Sequence, residues 1–149
     1  MTKFLNKIER CEENDYRTLV EIWERSVRAT HTFLGEDDIA EIREALIPLY
    51  FPGVDLYCVF DGGTIAGFMG LAGNKIEMLF IDDCRRGHGF GTQLVNHAKI
   101  MGAVAVDVNE QNPSALEFYK ANGFKIIGRD EYDEGGRHFP ILHLSLMAE

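Results

Sequence analysis

The chain has 149 residues, a length typical of one folded domain, and we predict a single domain over residues 1–149. It is 46% hydrophobic and 26% charged, as ordinary globular proteins are, with a formal net charge of -9. The acidic balance argues against nucleic-acid binding, which needs clustered lysine and arginine, and it is compatible with a cationic substrate such as an amine.

Apolar runs and cysteine spacing suggest where the protein resides. No apolar run is long enough to cross a bilayer, and the first seven residues lack the apolar segment of a signal peptide. We therefore expect a cytoplasmic protein without a membrane partner. The cysteines Cys11, Cys58 and Cys84 are odd in number and widely spaced, so we expect reduced thiols. No cluster of ligating residues has the spacing of a metal site, and no metal is expected.

The N-terminal third predicts a short strand and two helices. The strand lies near residues 8–12, and Asn14 after it is typical of a helix N-cap. Apolar residues recur at helical spacing over residues 19–27, which predicts the first helix. A second helix is predicted over residues 37–45 or beyond, and Pro48 and Pro52 are expected to end it.

The middle of the chain predicts a meander of strands followed by a helix. Strands are predicted at residues 56–60 and 64–71, on either side of a glycine turn, and at residues 76–81. A glycine-rich segment then opens a helix that Gly102 ends, and its apolar positions include Met101.

The C-terminal third alternates strands and helices. Residues 104–108 form a strand apolar enough for burial on both faces. The next helix begins at Asn112 and ends near Gly123, and two strands follow at about residues 125–132 and 141–146. This order of elements predicts an α/β domain with a mixed sheet.

The segment Arg86-Gly87-His88-Gly89-Phe90-Gly91 lies between a predicted strand and a predicted helix. Glycines let the backbone approach a ligand, and the first amides of a helix have no partner inside it, so they can donate to an anion. Arg86 adds a positive charge. We predict a pyrophosphate site, and a turn that only connects the two elements is the alternative. The segment lacks the Lys-Ser/Thr of a P-loop and the Gly-x-Gly-x-x-Gly spacing of a dinucleotide-binding oxidoreductase.

A second motif follows about twenty residues later, Asn112-Pro113-Ser114-Ala115-Leu116-Glu117-Phe118-Tyr119-Lys120-Ala121-Asn122-Gly123-Phe124. Arg-x-x-Gly-x-Gly followed by Asn-x-x-Ala-x-x-Phe-Tyr-x-x-x-Gly-Phe resembles the GNAT acetyltransferase superfamily. Residues 22–34, residues 108–112 and the tail around Phe139 are similar to its YjaB-type bacterial members, which are regarded as peptidyl-lysine acetyltransferases. The resemblance thus covers nearly the whole chain.

The resemblance implies the GNAT fold, a mixed sheet of six to seven strands flanked by about four helices, in which parallel strands 4 and 5 splay apart. Acetyl-CoA enters the gap, its pantetheine pairing with strand 4 and its pyrophosphate lying on the glycine loop. The implied cofactor-binding residues are Leu79, Phe80, Ile81, Arg86, Gly87, His88, Gly89, Phe90, Gly91, Thr92, Asn112 and Tyr119.

Two of these cofactor-binding residues, Asn112 and His88, and the nearby Asp83 need further comment. Asn112 either contacts the cofactor or only caps its helix. The side chain of His88 is expected to face solvent, because such a loop works through its backbone. Asp83 stands where family members often have proline, and we expect Arg85 to neutralise it.

The implied chemistry is direct attack of an amine on the thioester carbon. Tyr119 lies in the position of the family's general acid, and a phenol with a pKa of about 10 is still protonated at pH 7, so it can donate to the leaving sulfur. The alternative is that Tyr119 is an aromatic core residue.

The general base has two candidates. Glu77 on the fourth strand shares a face with Leu79 and Ile81 by simple alternation, unless a bulge intervenes. Asp107 is the second candidate, because a charge in an apolar strand is costly without a partner or a function. A third possibility is no single base, with waters carrying the proton.

The acceptor side is expected to be lined by Trp23, His31 and Phe33, although His31 has packing or capping as its alternative. We therefore predict an acetyl-CoA-dependent N-acetyltransferase acting on a protein lysine or a small-molecule amine, as a monomer or a homodimer. The alternative is a non-catalytic acyl-CoA sensor on the same fold.

Overall fold

A computed structural model describes residues 7–146. Residues 1–6, within the segment where the sequence predicts no signal peptide, and residues 147–149 lie outside the described residues. The elements follow in the order β1 (Ile8–Arg10), α1 (Tyr16–Thr30), α2 (Glu36–Ala45), β2 (Asp55–Asp61), β3 (Thr64–Ala72), β4 (Lys75–Ile81), α3 (Phe90–Ile100), β5 (Ala105–Asn109), α4 (Pro113–Ala121), β6 (Phe124–Asp130) and β7 (Ile141–Leu146).

The seven strands form one mixed sheet in the order β1-β2-β3-β4-β5-β7-β6. Neighbouring strands run antiparallel, with the exception of β4 and β5, which are parallel. Four α-helices of the described part of the chain flank the sheet. The predicted α/β class, the mixed sheet of six to seven strands and the parallel fourth and fifth strands are thereby confirmed.

Both faces of the sheet are covered. Phe68 and Met69, consecutive residues of β3, are both fully buried, and they belong to different cores because successive side chains of a strand point to opposite faces. Met69 packs in the core that contains Leu94 of α3 and Tyr119 of α4. Phe68 packs in the core that contains Ile22 of α1. The sheet is therefore the middle of three layers.

Two helix boundaries differ from the prediction. Asn14 is wrong as the N-cap, because it lies inside a 3₁₀ turn over Glu13–Asp15, and α1 begins one residue after that turn. Pro48 does not end the helical winding after α2, since the chain continues as a π-helical turn over Leu46–Tyr50. A proline cannot donate to the carbonyl four residues back, and a π turn accommodates that loss.

Two burial predictions also need correction. Met101 caps the C-terminus of α3 and is 47% exposed, so it is not part of the apolar stripe. The strand β5 is not buried on both faces. Val106 and Val108 are buried, whereas the alternating residues Ala105, Asp107 and Asn109 are half-buried. The alternation arises because α3 and α4 cover only one face of β5.

The expectation of three reduced thiols is wrong for two of them. Cys11 and Cys58 form a disulfide, with their Cα atoms 5.8 Å apart, and Cys84 is a free, exposed thiol. The pairing follows from the sheet, because Glu9 is the register partner of Cys58 and the amide of Cys11 donates to the carbonyl of Leu56. Cysteine spacing cannot reveal a contact made by strands 47 residues apart.

Candidate active site

The parallel strands β4 and β5 pair only where they begin, at Lys75 with Ala105 and at Ile76 with Val106. Beyond these pairs β4 follows β3 and β5 follows β7. A cavity of about 550 Å³ occupies the gap, within the range of small-molecule sites. It is lined by residues of β4, β5, the glycine loop, α3, α4 and the end of α1.

A bulge in β4 determines which side chains face the gap. Gly70 of β3 pairs with Met78, and Leu71 pairs with Ile76, so Glu77 is the extra residue. Simple alternation is therefore broken at Glu77, as the sequence analysis allowed. After the bulge Leu79 packs with the α3–α4 core, and Glu77 itself lines the cavity with its side chain 35% exposed.

The glycine-rich loop leaves backbone amides available at the mouth of the cavity. Gly87 and Gly89 have φ angles of 81° and 84°, which other residues rarely adopt. Within residues 7–146, the first amide after that of Arg86 to find an acceptor is that of Gln93, which donates to the carbonyl of Gly89. The intervening amides can donate to an anion beside the positive end of α3.

Gly91 serves a different purpose in the same loop. A Cβ atom at this position would lie 3.1 Å from the ring of Phe118 on α4. Glycine therefore allows the first turn of α3 to approach α4 closely, at the place where both helices line the cavity.

An ion pair ties α1 to the start of the loop. Arg25 donates two hydrogen bonds of 2.9 Å to the carboxylate of Asp82, which is 4% exposed. The hydrogen bonds from Arg25 hold the pKa of Asp82 below its ordinary value, so the carboxylate stays ionised. Neither residue was singled out by the sequence analysis, because they are 57 positions apart and match no motif.

The charges beside the loop are paired differently from the expectation. Asp83 pairs with Arg86 at 3.3 Å, whereas Arg85 pairs with Asp61 at 3.2 Å. Arg85 was expected to neutralise Asp83, and that assignment is wrong. The 3₁₀ turn at Asp83–Arg85 places the side chain of Arg86, and not that of Arg85, beside Asp83. His88 is exposed and lines a separate small cavity with Asp61, Cys84, Arg85 and Phe90.

Tyr119 of α4 lines the cavity and is 7% exposed. Its ring packs edge-on between Phe118, at 5.0 Å, and Phe124, at 5.7 Å. Burial raises the pKa of Tyr119 above its ordinary value, so the phenol keeps its proton at every pH that the enzyme meets. The side chain thus has both the core packing and the access to the cavity that the sequence analysis offered as alternatives.

Asn112 and His31 meet across the cavity. Asn112 caps α4 by accepting from the amide of Ala115 at 3.3 Å, and its side-chain nitrogen lies 3.4 Å from Nε2 of His31. Thr30 bonds the other ring nitrogen of His31 at 2.8 Å. Burial lowers the pKa of His31 to about 4, so the ring is neutral near pH 7. Both residues line the cavity.

The other two residues predicted for the acceptor side lie farther away. Phe33 is half-buried and packs between His31, with a tilted ring 5.4 Å away, and Phe139, edge-on at 5.3 Å, so it continues the wall that His31 begins. Trp23 is 3% exposed inside the α1–α2 core, and it is not among the residues that line the cavity.

Asp107 is held by the side chains of Lys75 and His143. Lys75 donates to its Oδ2 at 2.7 Å, and Nδ1 of His143 lies 2.7 Å from its Oδ1. The second ring nitrogen of His143 lies 2.6 Å from Asp130. Sequence analysis missed Lys75 and His143, although a histidine inside the apolar strand β7 was a signal that could have been used.

Two further observations concern ligands and membranes. Within residues 7–146 no group of three or more His, Cys, Asp or Glu side chains is arranged to hold a metal ion. Among the helices in this part of the chain, none combines the length and the apolar character that a bilayer span requires.

A sheet that splits between two parallel strands, with a glycine-rich loop at the mouth of the split, defines the acetyltransferase class of α/β proteins. Residues 28–142 match the family model described as "Acetyltransferase (GNAT) domain". The chain belongs to this GNAT family, and it is an N-acetyltransferase by membership.

Two curated relatives are similar over nearly their whole length. The peptidyl-lysine N-acetyltransferase YjaB of Salmonella typhimurium is 42% identical over 92% of this chain and 95% of its own. YjaB of Escherichia coli is 41% identical over 95% of this chain and 97% of its own. The solution structure of its apo form superposes with a TM-score of 0.89 at 37% identity, over 98% of this chain and 100% of that one.

A more distant solved structure shares the fold. The PaiA N-acetyltransferase of Thermoplasma acidophilum, in complex with coenzyme A, has a TM-score of 0.73 at 20% identity, over 97% of this chain and 100% of that one.

Proposed function

We propose that the protein transfers the acetyl group of acetyl-CoA to the ε-amine of lysine residues in proteins. The observation that carries this proposal is the row of available amides between Arg86 and Gln93, at the mouth of a cavity that also contains Tyr119. The similarity to relatives named peptidyl-lysine N-acetyltransferases supports the acceptor class.

Acetyl-CoA is the donor, and its parts match the lining of the cavity. The pyrophosphate would accept hydrogen bonds from the amides of residues 87–92. Arg86, which also pairs with Asp83, would add a positive charge beside it. The pantetheine would pair with the backbone of residues 79–81, because within residues 7–146 β4 has no strand partner on its β5 side beyond Ile76. This arrangement would aim the thioester at Tyr119.

The lysine ammonium must lose two protons during the reaction. A lysine ammonium has an ordinary pKa of about 10.4, so its deprotonation at pH 7 costs about 4.6 kcal/mol. The free amine attacks the thioester carbon, a C–N bond forms, and the C–S bond breaks. The general base takes the first proton from the ammonium and passes it to solvent. The thiolate receives a proton from Tyr119, and the second proton, released from the nitrogen after attack, restores Tyr119.

Glu77 is our proposed general base, and Asp107 is the second candidate. The half-exposed Glu77 carboxylate lines the cavity without a hydrogen bond of its own within residues 7–146. Both oxygens of Asp107, in contrast, are occupied by Lys75 and His143 at 2.7 Å. A water held by Glu77 can carry the proton where the amine does not reach the carboxylate.

The acceptor would approach along the wall formed by His31 and Phe33. A neutral imidazole does not repel an incoming ammonium, and the aromatic rings can pack against the aliphatic part of a lysine side chain. The net charge of -9 supports a cationic acceptor over an acidic one.

We further propose that residues 1–149 act as one domain in the cytoplasm, without a nucleic-acid or membrane partner, as a monomer or homodimer. The acidic net charge supports the absence of a nucleic-acid partner. The Cys11–Cys58 disulfide would be reduced in the cytoplasm.

The test is to incubate the protein with acetyl-CoA and two acceptor sets, lysine-containing peptides and a panel of small amines. Free thiol and the mass of each acceptor are followed together. We expect thiol release matched by one acetyl group on the peptide lysine. Acetylation of small amines alone would replace protein lysine by a small-molecule acceptor. Binding of acetyl-CoA without thiol release would indicate a sensor.

A further inference from the structure

Lys75 lies between two carboxylates at the edge of the cavity. Its Nζ is 2.7 Å from Oδ2 of Asp107 and 3.8 Å from Oε1 of Glu77. The first distance is a hydrogen bond, and the second is too long for one. The Lys75 ammonium is therefore bonded to Asp107, and a shift of about 1 Å would bring it into hydrogen-bond contact with Glu77.

The position of Asp107 is fixed from its other side. Asp107 and His143 are register partners of β5 and β7, so their side chains share one face of the sheet. The ring of His143 bonds Oδ1 of Asp107 and reaches Asp130 with its other nitrogen. It also lies beside Gly128, its register partner on β6. Because Oδ1 is held by His143, Oδ2 points at Lys75.

The protonation states agree with this geometry. The hydrogen bonds that His143 makes to Asp107 and then to Asp130 raise the pKa of His143 above its ordinary value. Partial burial works against the charge of Lys75, yet the bond to Asp107 leaves the pKa of Lys75 raised. Both raised pKa values thus share one geometric cause, the hydrogen bonds of Lys75 and His143 to Asp107.

A lysine in contact with Glu77 would harm the reaction. An opposite charge at contact distance lowers the pKa of a carboxylate by about 1–3 units, which makes it a weaker proton acceptor. It would also occupy the oxygen that the acceptor amine or its water needs. An unrestrained Lys75 would thus inhibit the general base from two residues away.

We propose that Asp107 is a positioning residue that holds the Lys75 ammonium off Glu77 and so keeps Glu77 available to the acceptor. His143 acts one step further out, by fixing the carboxylate of Asp107. This inference rests on the proposed function and deepens it, because it gives Asp107 a purpose other than that of a base.

The charged surroundings of the cluster are few. Lys75 faces Asp107, Glu77 and, from the loop between β6 and β7, Glu134. His143 faces Asp107 and Asp130. The titratable side chains that line the cavity with Glu77 are His31, Arg85, Arg86, Asp107 and Tyr119.

The test compares Asp107→Asn with the double variant Lys75→Met/Asp107→Asn, in the full-length protein with acetyl-CoA and a lysine peptide. In Asp107→Asn we expect kcat/KM to fall about tenfold and its acid limb to move to lower pH by about one unit, as expected for a carboxylate that has gained a cation. Removing Lys75 in addition should restore the acid limb and most of the rate.

The controls separate a positioning role from a structural one. Both variants should melt cooperatively and bind coenzyme A as the wild type does. If Asp107→Asn does not fold, Asp107→Ser makes the same comparison. The acid limb is the decisive readout, because a merely structural loss would lower the rate without moving it.

Three outcomes would overturn the proposal: a double variant no more active than Asp107→Asn, an acid limb that stays in place, or Glu77→Gln retaining more activity than Asp107→Asn. The last would make Asp107 the base. Failure of the proposed function itself is distinguishable, because the wild type would then release no thiol with any lysine peptide.

Discussion

Ile76 of β4 and Val106 of β5 are the last paired residues of the two parallel strands, and beyond them the sheet separates. Both residues are buried in the core shared with α3 and α4, so packed core residues form the closed end of the split. The bulge at Glu77 begins at the very next residue of β4, and a bulge bends the strand that carries it. The cavity is thus a consequence of how β4 is built.

We predict that Tyr119→Phe loses about a hundredfold or more in turnover and keeps its affinity for coenzyme A, as expected for removal of a general acid. The ring packing between Phe118 and Phe124 is preserved by phenylalanine, so folding should be unaffected. Thiol release measures turnover, and calorimetric titration measures affinity. The control is Tyr57→Phe, a half-buried phenol on β2 that is not among the residues lining the cavity. A parallel loss of affinity and turnover would make Tyr119 a structural residue.

Gly89→Ala should weaken coenzyme A binding by about tenfold or more, because alanine at a φ of 84° costs about 1 kcal/mol and shifts the amides beside it. Gly62→Ala is a matched control. Gly62 has a φ of 65° in the β2–β3 turn, and, like Gly89, it has no atom within 4 Å of an added Cβ. Both variants should lose similar stability, and only the first should lose affinity. Equal affinities in the two variants would argue against a role for the loop amides.

The low pKa of His31 predicts a dependence of stability on pH. Its pKa is about 4 in the folded protein and about 6.5 in the unfolded chain, so the unfolded chain binds more protons between these values. The stability linked to His31 is present above about pH 6.5 and is lost as the pH falls to about 4. In denaturant unfolding, the free energy of unfolding of the wild type minus that of His31→Gln should be about 3 kcal/mol lower at pH 4 than at pH 7. Curves that stay parallel over this range would contradict a buried neutral imidazole.

The disulfide gives a count of reactive thiols. In denaturant without reductant we expect one thiol per chain, that of Cys84, and three after reduction. Reduction should lower the free energy of unfolding by about 2–4 kcal/mol, since the bond closes a long loop. Activity should persist, because neither Cys11 nor Cys58 lines the cavity. Three thiols in the untreated protein would show that the pair is reduced.

Elements with strong local patterns could be predicted from the sequence. The helix from Pro113 to Ala121 has its cap, its first-turn proline and its terminal glycine in the chain itself, and the structure reproduces these bounds. The disulfide and the cluster around Asp107 could not be predicted, because they depend on the registers of β1 with β2 and of β5 with β7. Such pairings join distant residues, and no local pattern records them. The bulge at Glu77 is likewise a property of two strands together.

The most direct test of the account is calorimetric titration of the purified protein with acetyl-CoA, alongside the Gly89→Ala variant. We expect saturable one-site binding by the wild type, with a dissociation constant between about 1 μM and 1 mM, the range common for enzyme substrates, and clearly weaker binding by the variant. Absence of binding at millimolar acetyl-CoA by folded wild-type protein would contradict the claim that the split between β4 and β5 holds this cofactor.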